Sequence, residues 1–233
     1  MRSLGISLAF ALFLIVLIPA AESAQKNGLA DRVAELEAQV AAMEEILQFV
    51  RLESEGINGL AGPHWIFEGV NVHVRSGTGS THGPCPADPD CARRRGLGNL
   101  IVGYNEGFPS QARIRHGTHN LVVGPRHQYP NSGGFVAGSD NAIWGQGASV
   151  TGGVENGALA KNASVSGGNN NVARGNFSSV SGGHFNSATA DGSSVSGGVR
   201  NLASGDFSSV SGGDDRVAAG DLNWVAGSLF EEN

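Results

Sequence analysis

The hexapeptide SSVSGG stands at residues 178–183, 193–198 and 208–213, three copies at a constant spacing of fifteen residues. A short fixed period constrains the fold strongly, because every copy must make the same local structure and cover the apolar face of its neighbour. Aligned on one aliphatic position, the repeat runs through Ile101, Val122, Val136, Val150, Val165, Val180, Val195, Val210 and Val225. The intervals are 21, 14 and 14, then 15 throughout. These positions are the expected repeat core. In Ser179-Val180-Ser181 a period of two sends the valine inward and both serines outward, and Gly182 and Gly183 permit a turn that a side chain would forbid. Rungs stacked at ~4.8 Å would make a rod of about 43 Å.

Glycine fills 36 of 233 positions, and only 6% of residues are aromatic. Such a chain either stays disordered or uses glycine for regular tight turns, and the repeat decides for order. Each turn carries little apolar material. In SSVSGGVRNLASGDF the candidates for burial are Val195, Leu202, Ala203 and Phe207. A roll this thin gains from burying a second face against another chain. Asn156, Asn171, Asn186 and Asn201 recur at one phase, where asparagine can hold a turn and bond to neighbouring rungs. Arg216 takes the next place, so this ladder is expected to end there.

The repeats follow three other segments. Arg2, an apolar run from Leu4 to Ala21 and the small residues around Ser23 read as a secretory signal peptide over 1–24. The mature chain is then expected without a membrane span, and secreted, periplasmic or at a cell surface. In residues 25–56, Leu29, Val33, Leu36, Val40, Met43, Leu47 and Val50 alternate steps of four and three, the seam of a coiled coil. Valine at a with leucine at d favours two strands, whereas Ile46 widens the later stripe toward three. Residues 57–95 form a neck and variable loop, in which Ile66 to Val74 alternates as a half-buried strand. Cys85 and Cys91, the only cysteines, lie in that loop and can close a small disulfide in an exported protein. The repeat head spans 96–233, and Trp224, Val225, Leu229 and Phe230 are expected to cap its last rung.

The repeat NxAxGxxSSVSGG, preceded by GNLIVG at 98–103, NLVVG at 120–124 and FVAG at 135–138, resembles the YadA-like head repeats of trimeric autotransporter adhesins. The resemblance covers about residues 96 to 228. It implies a mainly β fold, a left-handed parallel β-roll or solenoid of 14–15-residue repeats, assembled as a homotrimer with an α-helical coiled coil. Adhesion to an extracellular matrix or glycan ligand is what that family's activity would imply. Two features depart from the family pattern. The coiled coil precedes the repeats, and SLFEEN at the end offers no alternating strands for a membrane barrel.

No reaction chemistry is legible. His116 and His119 form an HxxH pair without the glutamate of a zinc protease, and both read as turn residues. No GxSxG elbow occurs. A hexapeptide-repeat acyltransferase would need a period of six, not fifteen. The formal charge of −6 and the scattered lysines and arginines argue against nucleic acid. The expected protein is therefore a non-enzymatic surface module without cofactor or metal. Outward pairs Ser149/Thr151, Ser164/Ser166, Ser179/Ser181, Ser194/Ser196 and Ser209/Ser211 keep ice or glycan binding open as the alternative.

Overall fold

The computed structural model describes residues 28–77, 81, 96–107 and 114–227, in two compact units divided between Val72 and His73. The expected signal peptide, Cys85, Cys91, Leu229 and Phe230 lie outside the described residues.

In the first unit, α1 spans Leu29–Leu47. Its sequence is rich in alanine, leucine and glutamate, good helix formers, and Asp31 places a negative charge in the first turn, where the helix dipole favours one. The helix stops one residue short of Gln48, whose N–H still reaches the Glu44 carbonyl. The heptad spacing predicts that Val50 continues the seam, but Val50 belongs to β1 (Val50–Glu53). That strand pairs antiparallel with β2 (His64–Phe67), Val50 opposite Phe67 and Leu52 opposite Trp65. The ladder draws Val50 out of the helix because its backbone gains a partner there. The expected strand from Ile66 to Val74 ends at Phe67. Gly69 turns the chain with a φ of +73°, and Val70, Val72 and Val74 are exposed. Alternating valines supply side chains for a sheet, but among the described residues nothing pairs with their backbone.

The second unit is a parallel β-solenoid. Nine strands stack into one sheet: β3 (Leu100–Val102), β4 (Leu121–Val123), β5 (Phe135–Ala137), β7 (Ser149–Val150), β9 (Ser164–Val165), β11 (Ser179–Val180), β13 (Ser194–Val195), β15 (Ser209–Val210) and β17 (Trp224–Val225). Six stack into a second: β6 (Ala142–Ile143), β8 (Gly157–Ala158), β10 (Val172–Ala173), β12 (Ser187–Ala188), β14 (Leu202–Ala203) and β16 (Val217–Ala218). Between the sheets, single-residue bridges link Ser139, Val154, Asn169, His184, Val199 and Asp214 in order. The aligned aliphatic residues pair rung on rung, from Ile101 opposite Val122 to Val210 opposite Val225. The longer first interval is absorbed between β3 and β4 without a slip of register.

Val122, Val136, Val150, Val165, Val180, Val195 and Val210 are buried, and opposite them lie Ile143, Ala158, Ala173, Ala188, Ala203 and Ala218. From Val180 onward a turn is thus filled by one valine and one alanine between a buried asparagine and a buried serine, Ser178, Ser193 or Ser208, a place that Ala148 and Ala163 take in the two rungs before. Two expected core positions differ. Ile101 is 44% exposed and Val225 is half-buried, because each belongs to a terminal strand covered by a neighbouring strand on one side only. Leu202 and Phe207 differ as well. Leu202 alternates with Ala203, so only one of them can face inward, and the narrow interior takes the alanine. Phe207 is 67% exposed.

The corner between the sheets depends on Gly183, whose φ is +85° and whose Cβ, if present, would collide with the Gly198 carbonyl oxygen on the next rung. Just beyond it, Asn186 is buried and fully used. Its N–H donates to Asn171 Oδ1 (2.9 Å), its Oδ1 accepts from Asn201 N–H (3.0 Å), and its Nδ2 donates to the Gly182 and Gly198 carbonyls (2.9 and 2.8 Å). The side-chain ladder ends at Arg216 as expected, where Asn201 Oδ1 takes the Arg216 N–H. In the other direction it extends further than the fifteen-residue spacing revealed, through Asn141 and His127 to Asn105.

Candidate interaction surfaces

No residue of α1 is buried. Its stripe of Leu29, Val33, Leu36, Val40, Met43 and Leu47 is exposed by 41% at Met43 to 81% at Leu29, and Ile46 beside it by 58%. Val33, Leu36, Val40 and Ala41 line a shallow groove edged by Glu37 and Glu44. These aliphatic side chains, laid out at a 3.5-residue period, form a continuous exposed stripe along α1.

The outer face of the nine-stranded sheet has two parts. On the first three strands the outward residues are Leu100, Val102, Leu121, Val123, Phe135 and Ala137, flanking the inward Ile101, Val122 and Val136. From β7 to β15 serine and threonine replace them. Ser149, Ser164, Ser179, Ser194 and Ser209 pair in register, and beyond them Thr151, Ser166, Ser181, Ser196 and Ser211 are exposed. The result is two ranks of hydroxyls repeating at about 4.8 Å. Thr151 Oγ1 donates to the Ser166 carbonyl (2.8 Å), and Trp224 closes the face by donating from Nε1 to Ser211 Oγ (2.7 Å).

Both corners of each turn hold residues in the left-handed region, and their side chains run along the edges. One edge carries ion pairs and a side-chain hydrogen bond between successive rungs. Arg126 binds Asp140 (2.8 Å), Glu155 accepts from Asn170 (2.9 Å), and Arg200 binds both Asp214 and Asp215 (2.8 Å each). The hydrogen bond to Asp215 raises the Arg200 guanidinium further above its ordinary range, helped by the charges of Asp214 and Asp215. The same bond holds the Asp215 carboxyl below the usual carboxylate range. The other edge carries Phe177, Phe207 and Leu222, at φ of 58°, 56° and 59°, all exposed. Sequence reasoning missed this ridge. Its signal was phase, since each stands three positions before a repeat-core valine. Beside it Asp191, Asp206 and Asp221 form a third ladder, each carboxylate taking a backbone N–H from the rung before.

The HxxH histidines separate in role. His119 Nε2 accepts the Ser76 N–H (3.2 Å) and Nδ1 lies 3.1 Å from Thr118 Oγ1, so its ring ties two segments together, while His116 is exposed. Among the described residues no group of three or more His, Cys, Asp or Glu side chains could hold a metal ion. No helix among them is long and apolar enough to cross a membrane. No protein-family model matches the chain, and no curated protein is significantly similar to it. The fold and these surfaces define a class, a parallel β-solenoid with a separate amphipathic helix.

Proposed function

We propose that this chain is an exported, non-enzymatic structural or adhesive module, assembled as a homotrimer through the seam of α1, whose solenoid presents its hydroxyl face to an extracellular matrix or glycan partner. The uncovered stripe on α1 carries this reading. Most of a helix's stability in a protein comes from packing its apolar face, and packing that stripe against copies of itself would supply it here, where no residue of the helix is buried within the chain. Three copies suit the stripe where Ile46 broadens it. The resemblance to the head repeats of trimeric autotransporter adhesins supports the same assembly and a cell-surface setting. Three identical faces then bind a repetitive partner through effective concentration, even where each contact is weak.

Light scattering on residues 25–233, with and without 29–52, tests the assembly. The expected mass is that of a trimer, falling toward a monomer in the truncated chain; a monomeric full chain would overturn the proposal. Retention on immobilised matrix proteins or glycans tests the adhesive role. The in-register ranks of serine and threonine favour a second reading, binding to an ice lattice, which inhibition of ice recrystallisation by the untruncated chain would establish in place of adhesion.

A further inference from the structure

We propose that His127 makes the N-terminal end of the solenoid acid-labile: protonation of its ring breaks the buried side-chain ladder between Asn105 and Asn141 and releases the rungs of Ile101 and Val122 from those that follow. Along the ladder each rung offers one side-chain acceptor to the N–H of the next. Asparagine fills that role from Asn141 to Asn201 and cannot titrate. At one rung the acceptor is an imidazole.

His127 is fully buried. Its main-chain N–H donates to Asn105 Oδ1 (2.9 Å), and its Nδ1 accepts the N–H of Asn141 (3.3 Å). Its Nε2 lies 3.0 Å from the Val123 carbonyl, so the ring hydrogen belongs on Nε2. Only the neutral ring with that tautomer satisfies both contacts. A second proton, on Nδ1, would face the Asn141 N–H donor to donor and leave a charge inside the roll.

The surrounding charges do not offset this. Asp140 is the nearby carboxylate, already held by Arg126 through Nε (2.8 and 3.0 Å) and by Ser139 Oγ (2.9 Å). Arg115 adds a positive group, its Nε donating to the His127 carbonyl (3.2 Å). Tyr129 Oη is engaged at 3.5 Å by Asn105 Nδ2, and Glu106 meets Arg126 through its main-chain carbonyl while its side chain is exposed. Burial accordingly lowers the ring's pKa below 6.5, against the smaller opposing effects of the polar main chain at Val123, Asn141 and Gly138 and of the Asp140 carboxylate.

The folded ring is the weaker base, so the opened segment binds more protons. Stability of this end is full above the unfolded value near 6.5 and is lost as pH falls from there toward the folded value. Within that window the opening equilibrium rises as pH falls, by at most about tenfold per pH unit for one proton.

Amide hydrogen exchange of the full chain between pH 7.5 and 5, corrected for intrinsic rates, tests the proposal against His127→Asn, which installs the residue used elsewhere on the ladder. In the wild type, protection at Val122, Val123 and Asn141 is expected to fall as pH drops below 6.5, by up to about tenfold per unit until the folded ring titrates, with the rungs from Val165 onward unchanged. In His127→Asn that slope should vanish, although His119 and the carboxylates remain. A flat wild-type profile, or equal slopes in both proteins, overturns the proposal. Imidazole nitrogen shifts of the wild type give an independent reading that stands even if the variant fails to fold. A neutral Nε2–H ring at pH 7.5 is expected, and a charged ring or the Nδ1–H tautomer would overturn it.

Discussion

Ala203 and Phe207 stand four residues apart in one turn, and the smaller of them is the core residue. Ala203 is fully buried, whereas Phe207 is 67% exposed at a φ of 56°. Bulky residues pay roughly 1–2 kcal/mol in that left-handed conformation. Phe207→Asn should therefore keep or slightly raise the melting temperature, since asparagine tolerates the conformation and no buried area is lost; a drop of several degrees would mean that the ring is covered in the assembled protein. Val180→Asp should behave oppositely. It places a carboxylate in the valine column and should cost more than about 4 kcal/mol, read as loss of strand content by circular dichroism. Unchanged strand content would reject the inward assignment. Asn186→Ala should be intermediate. It strands the Asn201 N–H and removes the donors to Gly182 and Gly198, a loss of about 1–3 kcal/mol by chemical denaturation for a buried group left unpaired.

At the scale of the element, the unit of this fold is the fifteen-residue turn, because the register of both sheets repeats over that distance. Deleting residues 179–193 removes one whole rung and presents Ser194 and Val195 where Ser179 and Val180 had been. Such a chain should keep its strand signal and its cooperative melt, at slightly lower stability. Deleting eight residues from the same point should abolish folding of the following rungs, because valines, glycines and asparagines all lose phase. If both deletions melt alike, the rungs are not phase-locked. The helix obeys a different rule. Its stripe has no partner within the described chain, so Leu36→Asp should leave the solenoid's melting temperature unchanged while abolishing association by light scattering.

At the scale of the whole molecule, the period was legible because it is carried by residues that few others can replace. Glycine at the crossing and asparagine on the ladder answer to backbone contacts that recur every rung, so their spacing survives in sequence. The pairing of Ile101 through Val225 followed from that spacing alone. The outward serines were legible too, since period-two alternation assigns them once the valines are placed. What alternation could not decide was which rungs are terminal, and so Ile101 was assigned to a core that ends at Val122. Nor could it tell inward alanine from outward leucine at 202 and 203, because the interior width that admits only the smaller side chain is set by two sheets meeting in space. The end of α1 likewise depended on β2, the ten residues between β1 and β2 leaving the chain free to return and claim Val50. His127 shows the same limit most plainly. In sequence it was one isolated histidine among seven, off the fifteen-residue phase. Only stacking placed its ring between two asparagines, in a ladder whose hydrogen bonds leave no room for a second proton. Local periodicity thus determined the repeat and its faces, while the tertiary structure decided burial, because burial depends on the neighbours a rung has and a period does not say where the stack stops.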